Sequence, residues 1–143
     1  MADIEVKGAE KIAALLKKVA DTRTYEEGIK QSALVVEAAA KINAPKDTGA
    51  LRNSIVSEVS TDGGKVIGRV YTPLEYAPYI EYGTGLFASK GGRKNVPWCY
   101  QDDEGHWHST SGMKPRPFMK PALDDNRKQI KEIMRSVIHD KLS

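Results

Sequence analysis

The chain has 143 residues, of which 40% are hydrophobic and 29% charged, which is ordinary for a globular protein. At this length it is most simply one domain, residues 1–143, that buries about 68 to 70% of its unfolded surface without disulfides or a structural metal. The net charge of +3 (22 basic minus 19 acidic residues) is too small for a dedicated nucleic-acid binder, and the single Cys99 excludes an intrachain disulfide and fits a reducing compartment.

The first predicted elements are a short strand at 4–6 and an amphipathic helix over about 9–20. The helix is indicated by apolar residues at the i, i+3, i+4, i+7 spacing, namely Ile12, Leu15, Leu16 and Val19. The start of the chain lacks a basic segment followed by an apolar run, and no run is long enough to span a membrane, so a protein made and kept in a cytoplasm is expected.

A second helix is predicted to begin at Thr24 and to end near Ile42. Thr24 with Glu27 three residues later has the pattern of a capping box. Its apolar face is broad and rich in small residues, with one stripe at Ile29, Ala33, Val36 and Ala40 and the next at Ser32, Val35 and Ala39. Small residues permit close approach of a sheet or a partner helix.

A turn and a β-hairpin follow. Asp47 or Thr48 is expected to cap whatever begins at Ala50, because these side chains satisfy the free N–H groups of a helix start. The period then changes to β-branched and aromatic residues around a Gly-Gly turn, which predicts paired strands over about 54–60 and 65–72.

One turn of helix is predicted after the hairpin. Pro78 suits the first turn of a helix, and Gly83 is the usual residue for a left-handed helix stop. Three of the six tyrosines lie here, namely Tyr76, Tyr79 and Tyr82. A helix this short is unstable without tertiary packing, so we expect it to be wedged against a sheet or another chain.

Residues 86–113 form a polar excursion, called the arm below, with a second hairpin predicted at 96–100 and 106–109. Its glycines and charges predict loose order in the free chain and ordering against neighbouring subunits. The predicted interface residues are Phe87, Trp98, Tyr100, Trp107, Arg116 and Phe118, which are of the types that anchor protein interfaces. The alternative is that the arm aromatics form a small satellite core under the loop.

The chain is predicted to end in one long helix over about 122–142, roughly 30 Å at 1.5 Å per residue, which follows a Pro-rich extended segment and starts near Pro121. Its core-facing stripe is Ile130, Ile133, Met134, Val137 and Ile138. The predicted fold class is α+β, with N-terminal helices and this long C-terminal helix packed on a small antiparallel sheet, and with the hairpin arm extended from it.

Candidate metal ligands are confined to the arm. Cys99, His106 and His108 could converge on zinc, but the spacing matches no standard finger, and the two histidines would face opposite ways if both sat on a strand. The neighbouring acids, Asp102, Asp103 and Glu104, are typical of a solvated hairpin tip and less so of a cation site or an acid/base pair. No metal and no cofactor are predicted, although a small metal-dependent hydrolase stays an alternative.

Signals for catalysis or nucleic-acid binding are weak. Ser54 and Ser57 lack a glycine-elbow context, and Gly83-Thr84-Gly85 alone is no phosphate loop, so no catalytic residue and no enzyme activity are predicted. Basic residues of the last helix could follow a phosphate backbone at Arg127, Lys131 and Arg135, but acids interleave with them at Asp124, Asp125, Glu132 and Asp140. The interleaved acids favour a solvated helix face, so a cytoplasmic nucleic-acid-binding or toxin-like module is kept only as an alternative function.

Three motifs stand in order along the chain. They are APKDTGALRNSI at 44–55, YAPYIEYGT at 76–84 and KPRPFMKPAL at 114–123. Together they resemble the gene-product-ten-like family of tailed bacteriophages and prophages, head-tail joining or tail-completion proteins related to the minor tail protein Z of lambda-like phages. The family often has Val where Lys46 stands, so Lys46 is expected to be exposed.

The resemblance implies a small α+β subunit without enzymatic activity that forms an oligomeric ring in the virion neck. The motif residues carried over are Pro45, Asp47, Thr48, Gly49, Leu51, Arg52, Tyr76, Pro78, Tyr79, Glu81, Tyr82, Gly83 and Pro117. The implied partners are further copies of the chain in a six-fold or twelve-fold ring, head-closure proteins, and tail-terminator or tail-tube proteins. DNA would be only passing cargo, no membrane is involved, and the location is the neck or tail top after assembly in the host cytoplasm.

Overall fold

The computed structural model describes residues 8–46, 49–92 and 95–142. The helices are α1 (Ala9–Ala20), α2 (Thr22–Asn43), α3 (Ala50–Ser54), α4 (Ala77–Tyr82), α5 (Met119–Asp124) and α6 (Arg127–Leu142). The strands are β1 (Val56–Asp62), β2 (Lys65–Tyr71), β3 (Trp98–Gln101) and β4 (Trp107–Thr110), which form two hairpins, β1–β2 and β3–β4. The predicted α+β class is confirmed, and none of the described helices is long and apolar enough to cross a membrane.

The chain folds into two compact units. Among the described residues, the first unit takes 8–35, 57–70 and 126–142, and the second takes 36–56 and 71–125. The assignment of 1–143 to a single domain stays a prediction.

In the first unit, α6 and the β1–β2 hairpin pack on the N-terminal part of α2. A Cβ built on Gly28 of α2 would lie 2.7 Å from the Sδ of Met134 on α6, so only glycine allows this approach without displacing the methionine. The Thr61 hydroxyl of β1 donates to the Glu26 carboxylate of α2 at 2.7 Å. The small-residue face predicted for α2 is therefore used for close packing.

The start of α2 differs from the prediction. The helix begins at Thr22, and the Asp21 carboxylate accepts the Arg23 N–H at 3.0 Å, so Asp21 is the N-cap and the capping box at Thr24 is wrong. Thr24 is instead buried inside the helix. Hydrogen bonds from the Arg23 side chain and backbone lower the pKa of Asp21, which keeps this cap ionised.

The other helices of the first unit are less buried than expected. α1 has the predicted bounds, but Ile12 and Leu16 of its apolar stripe are 57% and 63% exposed. The side chain of Val19 and the strand predicted at 4–6 lie outside the described residues. The predicted stripe of α6 is half-buried along its length.

The single C-terminal helix predicted over 122–142 is wrong, because the helix is interrupted at 125–126. α5 ends where the Asp125 N–H donates to the Pro121 carbonyl at 2.9 Å, and the Asn126 carbonyl accepts the Ile130 N–H of α6 at 2.9 Å. Asp and Asn favour such turns because their short side chains compete with helical hydrogen bonds. α5 begins at Met119, so Pro121 is the third residue of a helix and not its start.

The second unit holds most of the buried apolar residues that the structure describes. Its core is Val36, Ala40, Ala44, Leu51, Ile55, Ala77, Phe118 and Ala122, with Phe118 and Ile55 the largest. From the first motif, Leu51 enters this core, and the Arg52 guanidinium donates to the Lys41 carbonyl at the end of α2 at 3.0 Å. Gly49 is the N-cap residue of α3 at φ 76°.

Other residues of the first motif lie at the surface or beyond description. Lys46 is exposed, as expected, and Pro45 is half-buried. The caps predicted at Asp47 and Thr48 lie outside the described residues.

Candidate functional site

The short helix α4 begins at Ala77, one residue before the start predicted at Pro78, and ends at Tyr82 as predicted. Pro78 lies in its first turn, and the Gly83 N–H donates to the Tyr79 carbonyl at 2.9 Å as the helix ends. Gly83 has φ 78° and ψ 179°, so it has the positive φ expected of a stop, although its ψ is extended and not left-handed helical. Glycine is the residue that adopts this conformation without strain.

The inner face of α4 carries a buried carboxylate. Glu81 is 9% exposed, and its Oε2 accepts the backbone N–H groups of Phe118 at 2.8 Å and Met119 at 3.0 Å. Its Oε1 accepts the Lys120 N–H at 3.0 Å. These are free N–H groups at the start of α5, so Glu81 acts as the N-cap of a helix that lies 37 or more residues further along the chain.

The outer face of α4 carries the three tyrosines. Tyr76, Tyr79 and Tyr82 recur every three residues, so they line one side of the helix, and we call them the tyrosine face. They are 43%, 59% and 38% exposed. The three tyrosines are therefore not covered by a sheet of the same chain. Their packing against another chain stays a prediction.

The base of the arm is closed by backbone hydrogen bonds. The Thr84 N–H donates to the Met113 carbonyl and the Leu86 N–H to the Ser111 carbonyl, both at 2.9 Å. A Cβ on Gly85 would collide with the Ser111 carbonyl oxygen, because the two backbone segments run in direct contact. Gly83-Thr84-Gly85 is thus a junction that holds both ends of the arm together, and its glycines serve that contact.

The hairpin predicted within the arm is confirmed as β3–β4. Trp98 pairs with Thr110, Cys99 with Ser109, Tyr100 with His108, and Gln101 with Trp107. Because side chains alternate along a strand, one face of the hairpin carries Trp98 and Tyr100 and the other carries Trp107. These strands are paired in the single chain, and the ordering of the arm against neighbouring subunits stays a prediction.

A single aspartate organises the hairpin turn. The Oδ1 of Asp102 accepts the N–H groups of Glu104 at 3.0 Å and His106 at 2.8 Å, and its Oδ2 lies 2.7 Å from the Nε2 of His108. The hydrogen bond with His108, aided by the His106 N–H, lowers the pKa of Asp102. The His108 ring also stacks on Tyr100 with centroids 5.3 Å apart.

The candidate metal ligands do not converge. His106 precedes β4, and both histidine rings approach Asp102, so the expected opposite orientation of the two histidines does not apply. Cys99 is exposed on the hairpin face opposite to His108. Within the described ranges, no three His, Cys, Asp or Glu side chains are grouped so as to hold a metal ion.

The predicted interface residues fall into two groups. Trp107, Tyr100 and Phe87 are 72%, 47% and 42% exposed, whereas Trp98 is half-buried. Phe118 is 1% exposed, so it belongs to the core and offers no ring to a partner. Arg116 is exposed, and its backbone N–H donates to the Ile80 carbonyl at 2.7 Å. Pro117 from the third motif is also exposed.

Lysines border these aromatic rings. The Nζ of Lys90 lies 4.8 Å from the ring centroid of Tyr82, and the Nζ of Lys114 lies 6.0 Å from that of Phe87. Both distances are in the range of cation–π attraction. Lys90 therefore borders the tyrosine face, and Lys114 borders Phe87 at the arm base. Arg93 and Lys94 lie outside the described residues.

Sequence reasoning did not assign a role to Glu81 or Asp102. A signal for the first was available, since a carboxylate flanked by Ile80 and Tyr82 in an apolar turn needs hydrogen-bond donors if it is buried. For the second, an Asp that opens a five-residue hairpin loop is a common acceptor for the turn N–H groups.

The fold and its surface define a small α+β protein with a broad exposed aromatic area in its second unit. A family model described as "Bacteriophage HK97-gp10, putative tail-component" matches residues 9–83, which is more than half of the chain. The chain belongs to this HK97-gp10-like family of phage tail components, and it is accordingly a structural phage protein of the virion. No curated protein and no solved structure matches it with significant similarity.

Proposed function

We propose that this protein is a head-tail connector or tail-completion protein that forms a closed ring of identical subunits in the phage neck. The observation that carries the proposal is the aromatic surface of the second unit, where Tyr79 and Trp107 are 59% and 72% exposed in a member of a tail-component family. The role is structural and not enzymatic.

The exposure of these aromatic side chains favours an oligomer over a monomer. Tyr and Trp are enriched at protein interfaces because their rings bury a large area while their polar ends keep hydrogen bonds. Exposed apolar groups also include Leu86, Phe87 and Met113 at the arm base. Large exposed apolar groups that cluster on one part of a chain usually mark interaction sites.

In a ring of six or twelve identical subunits, one surface of each copy meets a different surface of the next copy. The faces of the ring would then meet a head-closure protein on one side and a tail-terminator or tail-tube protein on the other. DNA would pass through the ring without sequence-specific contact, in keeping with the small net charge of +3.

Two experiments test the proposal. Light scattering of the purified protein over a concentration series should show growth toward one defined ring, and Tyr79→Ala should shift that growth to higher concentration. Ile67→Thr is the matched control, because it removes an apolar side chain that is 44% exposed on β2 of the first unit.

The second experiment uses the phage or prophage that encodes the chain. Particles that lack the protein should accumulate as separate heads and tails. Normal joining in its absence would refute the neck assignment, and salt-dependent retention of DNA by the purified protein would favour the nucleic-acid-binding alternative.

A further inference from the structure

The tip of the arm carries acidic residues, which are opposite in charge to Lys90 beside Tyr82 and to Lys114 beside Phe87. We propose that the arm tip, defined as Asp103, Glu104 and Trp107, docks on the tyrosine face of a second copy of the chain. This inference rests on the ring proposed above and names the contact that would join one subunit to the next.

The arm tip has one apolar anchor, Trp107, and two acids in the adjoining hairpin turn. Trp107 is in the strand pair next to the turn, and its side chain is 72% exposed. Asp103 is exposed, and the Glu104 side chain is 82% exposed. Asp102 already accepts hydrogen bonds within the turn, so it shapes the tip and does not serve as one of its contacts.

The tyrosine face supplies the complement. Its tyrosine rings can stack against an indole, and Tyr79 is the most exposed of them at 59%. Lys90 lies over Tyr82, so one ammonium group borders the tyrosine face, and Lys114 lies over Phe87, which follows this face in the chain. An arriving Trp107 would be buried among aromatic rings while the two carboxylates meet the two lysines. Such rim charges fix orientation and association rate more than affinity.

A second copy is the occupant because the chain does not cover either surface itself. Trp107 and Tyr79 are both largely exposed in the single chain. The two surfaces are different, so a contact between copies is head-to-tail and leaves one free arm tip and one free tyrosine face at every stage. A contact of this heterologous type continues from copy to copy, and it closes into a ring when the rotation between successive copies completes a full circle.

Cysteine cross-linking tests the contact even when association is weak. In a Cys99→Ser background, Glu104→Cys with Lys90→Cys should give a ladder of dimers and higher multimers with a short thiol cross-linker. Glu104→Cys with Lys30→Cys is the matched control, because Lys30 is an exposed lysine of α2 in the first unit. We expect loss of the ladder in the control, and equal ladders in the two proteins would overturn the proposal.

Charge reversal identifies the partners. In the chain without added cysteines, Asp103→Lys with Glu104→Lys should shift the association seen by light scattering to higher concentration, and Lys90→Glu with Lys114→Glu should do the same. All four substitutions in one chain should restore association at the wild-type concentration, because the charges are again opposite. An arm tip that cross-links to another virion protein instead of a second copy would also refute the proposal.

The failure of this inference can be told apart from failure of the ring. If the wild-type protein forms rings but its association does not depend on these charges, and the two cysteine pairs give equal ladders, the arm contact is wrong and the ring stands. If particles lacking the protein join heads to tails normally, the neck function itself fails.

Discussion

Glu81→Gln isolates the contribution of the buried carboxylate with almost no change in volume. The wild-type carboxylate accepts three backbone N–H groups, from Phe118, Met119 and Lys120, at 2.8 to 3.0 Å. A glutamine has one acceptor oxygen, so at best it keeps two of these bonds, and its amide NH2 then faces the remaining N–H donor to donor. It also removes the negative charge from the start of α5.

The expected cost follows from the number of bonds. A hydrogen bond to a charged group contributes about 1.5 to 3 kcal/mol, so the loss of one and the weakening of two should reduce the free energy of unfolding by about 3 kcal/mol. For a chain of this size that corresponds to a fall in Tm of roughly 9 °C. Screening by solvent is small here because Glu81 is only 9% exposed.

Urea unfolding and calorimetry of Glu81→Gln measure this loss, with Glu75→Gln as the control. Glu75 is exposed just before α4, so its substitution should change the free energy of unfolding by less than about 0.5 kcal/mol. Amide hydrogen exchange should also become faster at 118–120 in Glu81→Gln alone. Equal Tm values for the two variants would show that the carboxylate does not hold α5.

Three further predictions concern single positions. Gly83→Val should lower the free energy of unfolding by about 2 kcal/mol more than Gly63→Ala. Both glycines have positive φ, but a Cβ on Gly83 would lie 2.7 Å from the Met113 carbonyl oxygen, whereas Gly63 borders open space. Equal losses in thermal unfolding would contradict the role of Gly83. The pKa of Asp102 is lowered from its ordinary value of 3.8, so its stabilisation of the hairpin is fully present above pH 3.8 and is lost as the pH falls through the pKa of the folded state. NMR should therefore show the turn amides shifting in acid in the wild type and not in Asp102→Asn. Elemental analysis of protein made without a histidine tag should find well under one zinc per chain, since Cys99 and His108 lie on opposite hairpin faces, and a stoichiometric amount would revive the hydrolase alternative.

Local signals allowed much of the fold to be predicted. The bounds of α1, the end of α4, both hairpins and the positive φ of Gly83 follow from periodicity, turn residues and glycine. Each of these depends on residues within one or two turns of each other. The errors in element boundaries arose where two local choices competed, as at Asp21 and Thr24, which are both good N-cap residues.

Features that depend on distant residues could not be predicted. Glu81 and the start of α5 are 37 residues apart, so no local pattern indicates that the carboxylate is buried or that α5 begins before Pro121. The sequence also predicts that three closely spaced tyrosines need cover without showing what covers them. Phe118 illustrates the converse, because an aromatic residue between two prolines has the composition of a surface anchor and yet fills the core.

The second half of α4 determines how the tyrosine face and the arm are presented together. The Ile80 carbonyl accepts the Arg116 N–H, the Glu81 carboxylate holds the start of α5, and the Tyr82 carbonyl accepts both the N–H and the hydroxyl of Ser89. These three residues of α4 are thus bonded to two later stretches of the second unit, Ser89 in the arm and residues 116–120. The outer face of the same helix is left with the tyrosines, whose side chains these bonds do not use. A substitution on the inner face should therefore weaken the fold and displace the arm base at once, whereas a substitution on the tyrosine face should leave the fold intact and act only on association.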